Sequence, residues 1–161
     1  MKCRLSVLVL VLLLAPPLAC AAENKATEPL WHRSCETDRE GRTSCIVEQF
    51  AVVMPQNAVA AHIRFARAGT PDRARMMLTV PLGVLLAAGV SLSIDGSKPI
   101  ELPFERCTRA GCEASAVLDE SALAKFARGE TLVIRYASSA TAAADIPIRL
   151  QGLADALKQL K

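Results

Sequence analysis

The stretch AVAAHIRFA, residues 58–66, decides the fold class. In an extended chain Val59, Ala61, Ile63 and Phe65 fall on one side and Ala60, His62, Arg64 and Ala66 on the other, the two-residue period of a half-buried strand. The pattern recurs outward from there. VSLSIDG (90–96) sets Val90, Leu92 and Ile94 against Ser91, Ser93 and Asp95, and IELPFE (100–105) sets Ile100, Leu102 and Phe104 against Glu101, Pro103 and Glu105. In TLVIRYA (131–137), Leu132, Ile134 and Tyr136 oppose Val133 and Arg135. SCIVEQFAVV (44–53) and ARMMLTV (74–80) are apolar on both faces or ambiguous, as an inner strand can be, and Pro147 demotes DIPIRL (145–150) to an edge or bulged strand. MPQN (54–57), AGTPD (68–72) and DGSKP (95–99) carry the turn chemistry that reverses the chain. SSATAAAD (138–145) reads as a surface loop.

Two segments break the period of two. DESALAKFARG opens on an acidic cap, Asp119, and stops at Gly129, which predicts a short helix with Leu123 and Phe126 inward. GLADALKQL places Leu153, Leu157 and Leu160 at helical spacing near the end of the chain. Six to eight strands punctuated by turns argue for an all-β, antiparallel sandwich with one or two short helices.

The first residues bear on location. MKCRLSVLVLVLLLAPPLACAAE has a basic head (Lys2, Arg4), an apolar run from Leu5 to Leu14, a break at Pro16 and Pro17, and small residues thereafter. This is the layout of a secretory signal peptide, expected to be cut after Ala21 or Ala22. The domains expected are a leader over 1–22 and one sandwich over 23–161. The apolar run is too short to span a bilayer, which takes about 20 residues as a helix, and no transmembrane segment is expected in the mature chain. Cys20, after Leu18 and Ala19, also suggests the lipobox of bacterial lipoproteins. Pro17 stands where that pattern wants an aliphatic residue, so ordinary cleavage is the expectation and acylation of Cys20 the alternative.

Losing Lys2 and Arg4 leaves 17 basic against 16 acidic side chains, a net charge of about +1. Without a concentrated basic face, no nucleic-acid partner is expected. Four cysteines remain: Cys35, Cys45, Cys107 and Cys112. In an exported chain they read as two local staples, Cys35–Cys45 and Cys107–Cys112, each bracketing a glycine-bearing turn. A zinc site wants closer Cys and His pairs, and a redox centre wants a two-residue spacer in an electropositive setting. No metal or cofactor is expected.

Other side chains have a plain reading beside a functional one. Trp31, four residues before Cys35, is expected in the core rather than as a stacking platform. His32 and His62 read as solvated. Leu82, Val84, Leu85 and Leu86 are expected to cap one end of the core, the alternative being an exposed apolar loop that takes a partner. Asp95-Gly96 supplies the positive backbone angles of a hairpin turn. Arg64, Arg67, Arg73 and Arg75 form a locally basic stretch, a candidate surface for anionic lipid, sugar polymer or an acidic partner, with a merely solvated hairpin, partly offset by Asp72, as the alternative. Neither a nucleophile elbow nor a nucleophile–histidine motif is present, and no catalytic residue is expected.

In their order, WHRSC (31–35), Cys45, TVPLGVLLAAGVSLSIDG (79–96), LPFERC (102–107), Gly111-Cys112 and LQGLADAL (150–157) resemble the invasion-associated locus B family of exported bacterial proteins. Leu153 departs from the pattern, where an aromatic residue is usual. The resemblance implies an immunoglobulin-like sandwich, a place in the periplasm or at the cell surface, including outer-membrane association, and in some pathogens a link to host-cell entry. It implies no catalytic residues. The expected function is a non-enzymatic domain binding a protein or envelope component. A chaperone-like stress or assembly factor is the runner-up, and a small hydrolase or enzyme inhibitor comes third.

Overall fold

The computed structural model describes residues 30–160, so the expectations for the leader and for Cys20 lie outside the described residues. Among the described residues ten strands form: β1 His32–Thr37, β2 Thr43–Val53, β3 Ala58–Ala68, β4 Thr70–Val80, β5 Val90–Ile94, β6 Ile100–Leu102, β7 Arg106–Thr108, β8 Gly111–Leu118, β9 Thr131–Ser139 and β10 Ala142–Arg149. They pair antiparallel into a six-stranded sheet, order β1-β2-β3-β4-β8-β7, and a four-stranded sheet, order β10-β9-β5-β6. The chain leaves the larger sheet after β4, returns after β6, and crosses again through helix α1 (Glu120–Arg128) between β8 and β9. This is the expected immunoglobulin-like layering.

Inward side chains do what the alternation dictates. Ile63, Phe65, Met76, Leu78, Leu132 and Ile134 are at most 1% exposed and fill the space between the sheets. Fully burying such a side chain contributes roughly 1.5–3 kcal/mol, which is why the register cannot slip by one residue without turning the core outward. Trp31 lies edge-on to Phe65 at 5.7 Å, and Phe65 edge-on to Phe126 of α1 at 5.6 Å, so one aromatic chain links the amino-terminal segment, the core and the helix. Asp119 caps α1 by accepting from the Ala122 amide at 2.8 Å. A second helix, α2 (Leu153–Lys158), buries Leu153 and Ala156, and Leu160 follows it into the core.

Both disulfides join residues directly opposite each other: Cys35 and Cys45 across β1–β2, Cys107 and Cys112 across β7–β8. They therefore staple the two edge hairpins of the six-stranded sheet. The CTRAGC pair encloses a hairpin turn, as expected.

Four expectations change. SSATAAAD is the tip of the β9–β10 hairpin, with strand up to Ser139 and again from Ala142. Ile100 is 47% exposed, because β6 is a three-residue edge strand that covers only part of the core. Val59 is 47% exposed, because an irregularity pairs Ala51 with Ala61 but Val52 with Val59, leaving Ala60 as an extra residue and reversing the alternation before it. Of the loop expected to cap the core, only Val84 packs against it; Leu82, Leu85 and Leu86 are 58%, 38% and 56% exposed.

Candidate functional site

The outer face of the six-stranded sheet is a grid set by register. Phe50, His62, Thr79, Glu113 and Arg106 stand in one row across β2, β3, β4, β8 and β7. The next row is His32, Glu48, Arg64, Met77 and Ser115. Neighbours in and between rows reach each other. His62 Nε2 donates to Glu48 Oε2 at 2.7 Å, and its ring stacks on Phe50 at 3.9 Å. Arg64 Nη2 donates to Thr79 Oγ1 at 3.1 Å and lies 3.5 Å from Glu113, whose other oxygen pairs with Arg106 Nε at 2.6 Å. The Arg64 Nε is buried with no partner, leaving one donor unspent.

Burial pushes the His62 imidazole below its ordinary value of 6.5; the bond to Glu48 opposes this, and the Arg64 charge adds to it. At neutral pH the pair is thus a neutral imidazole donating to a carboxylate. His62 is half-buried and bonded rather than solvated, and His32 shares its face.

This row ends in a hollow of about 520 Å3, lined by Phe50, Val59, Arg64, Leu82, Arg109 and Glu113 among others. Chain chemistry explains why its rim is apolar. The irregularity at Ala60 turns Val59 out. β4 stops at Val80 because Pro81 has no amide to donate. Gly83, at φ +91°, then swings the chain back, and the Leu85 amide donates to Ala137 O at 2.7 Å, pinning the loop while Leu82 projects outward. Val52, Val53 and Met54, in the hairpin beyond Phe50, are also exposed. A cluster of exposed apolar side chains beside a half-buried polar network is the usual mark of an interaction surface.

The four arginines expected to act together are divided. Arg64 belongs to this network. Arg75 faces outward one row further along and donates to Ser115 Oγ at 3.2 Å. Arg67 turns to the other side, where both Nε and Nη2 donate to the Leu160 carbonyl and hold the end of the chain. Arg73 is exposed. Trp31 is core, 5% exposed. Asp95 accepts from the Glu130 and Thr131 amides, so its carboxylate ties the β5–β6 turn to β9.

Glu48, Phe50, Val59, Glu113 and Arg109 were not among the candidates. Glu48 and Phe50 share one face of a segment that is apolar on both sides, and the only sequence signal for them was the single charge at 48. Chemically, the arrangement suits binding.

The sequence profile described as "Invasion associated locus B (IalB) protein" matches residues 31–161. The chain is 29% identical over 134 residues to an invasion protein B homolog of Brucella abortus (strain 2308), covering 81% of this chain and 75% of the relative. Invasion protein B of Bartonella bacilliformis is 30% identical over 87 residues, 52% of this chain and 47% of that one. The crystal structure of invasion associated protein B from Bartonella henselae superposes with a TM-score of 0.72 at 27% identity, covering 81% of this chain and 90% of that chain.

Proposed function

This chain belongs to the invasion-associated locus B family, and on that premise we propose that it is an exported, non-enzymatic binding protein of the bacterial envelope that engages a protein partner through the hollow beside Phe50, Val59 and Leu82. The observation that carries this reading is the exposure of those three side chains, 48%, 47% and 58%, around one concavity. Left exposed, they forgo the burial energy that a partner covering them would supply. The rim residue Arg109 would receive a carboxylate or carbonyl from a partner segment whose apolar side chain enters beside Val59 and Leu82. The leader-like first residues and two disulfides support export, since disulfides persist in oxidising compartments. Val52, Val53 and Met54, extending the apolar surface along the strand ends, favour as second reading an assembly factor that holds unfinished chains.

The test is Val59→Asp with Leu82→Asp. Both positions are exposed, so thermal stability should hold while capture of the partner is lost. Undiminished capture would remove the hollow from consideration. Capture by the wild type of many unrelated unfolded chains would favour the assembly factor.

A further inference from the structure

A second concavity, of about 670 Å3, lies between the β5–β6 turn and α1 and shares no lining residue with the first. Leu92 and Phe126, each at most 2% exposed, form its floor, and Ile94 and Ile100 its apolar wall. Three cations stand around it: Lys98 on the turn, Lys125 and Arg128 on α1. None has an ion pair or side-chain hydrogen bond among the described residues, a state that Arg149 on β10 shares. The sole carboxylate on the lining is Asp95, whose oxygens already accept from the Glu130 and Thr131 amides. Lys125 and Arg128 suit the carboxyl-terminal end of a helix, but that does not account for Lys98 or for the uncovered isoleucine wall.

We propose that this groove binds a small anionic amphiphile, its chain along Ile94 and Ile100 over the Phe126 floor and its headgroup among Lys98, Lys125 and Arg128. The volume lies within the range of small-molecule sites, roughly 300–1,000 Å3. Its concave shape favours an inserted chain over a flat bilayer surface. Unpaired cations beside an apolar wall complement a ligand with one anionic end. The site adds to the protein partner proposed above and does not depend on it.

Titration calorimetry with the purified protein tests this, using dodecanoate, dodecyl phosphate and neutral dodecyl maltoside, each below its micelle-forming concentration. The first two are expected to bind and to weaken as salt is raised; stronger binding of one identifies carboxylate or phosphate as the preferred head. The maltoside should bind at least about tenfold more weakly, the scale of losing two or three exposed charge contacts. Lys98→Gln with Lys125→Gln and Arg128→Gln should reproduce that loss for the anions. Because the helix end also changes there, Lys98→Gln alone and Ile100→Asp serve as second variants outside α1, and Ile100→Asp should abolish binding of all three. Equal binding of the neutral amphiphile, no binding by either anion, or a glutamate-rich peptide that competes as strongly as dodecanoate would overturn the proposal.

Discussion

Replacing Cys107 and Cys112 with serine should do more than open a short loop. The chain-entropy cost of closing a loop of sequence separation 5 corresponds to about 2 kcal/mol. Cys112 is only 2% exposed, so a serine there buries a hydroxyl, costing a further 1–3 kcal/mol or so unless it finds a partner. The serine pair should therefore lose about 3–5 kcal/mol, and the alanine pair, which buries no hydroxyl, about 1–3 kcal/mol less, out of a stability of about 5–15 kcal/mol for a domain of this kind. The strand ladder from β1 to β8 is independent of the bond, so the sandwich should remain folded. Arg109, Ala110 and Gly111, which the staple holds, line the hollow, so partner affinity should fall along with stability. Urea unfolding of both variants, read by tryptophan fluorescence, gives the two losses directly. Equal midpoints for the wild type and both variants would refute the staple as a source of stability. A serine pair no worse than the alanine pair would refute the burial term.

Arg67→Ala should cost about 1.5–3 kcal/mol, since a charged donor is lost to the Leu160 carbonyl, whereas Arg73→Glu and Arg75→Glu should leave the melting temperature nearly unchanged; comparative calorimetry checks this. His62 is held below 6.5 in the folded protein, so as pH falls below 6.5 the unfolded imidazole takes up a proton first and stability drops until the folded one follows. His62→Gln should flatten that slope in urea midpoints measured between about pH 7 and pH 5, while the lowered carboxyls of Asp38, Asp119, Asp145 and Asp155 act only at still lower pH. The intact mass of protein recovered from cells should correspond to a chain starting at Ala22 or Glu23, and a diacylglyceryl mass on Cys20 would refute ordinary cleavage.

The core was legible wherever large apolar residues alternate without interruption, as in Val90 to Ile94 and Leu132 to Tyr136. Three strands were not. β1 is exposed along its whole length and so carries no apolar period. β7 is three residues long, and β8 buries its alternate positions with Cys112, Ala114 and Leu118, where alanine and cysteine give little strand signal. The site was harder still. Its apolar rim depends on one extra residue at Ala60 and on the path of the chain after Pro81, and neither changes the composition of its segment. The pairing of His62 with Glu48 depends on the register of β2 against β3, which sequence order does not state. Conversely, four neighbouring arginines suggested one basic surface, yet strand parity and the docking of Leu160 send Arg67 to another side.

Binding through the hollow is tested most directly by photo-crosslinking in living bacterial cells, with a photoreactive residue at Leu82 and, as control, at Lys158, an exposed position on α2. The account predicts one discrete adduct from position 82, mapped by mass spectrometry to a single segment of one protein, lost when Val59→Asp is added and absent from position 158. No adduct at 82, the same adducts from both positions, or an adduct that survives Val59→Asp would contradict it.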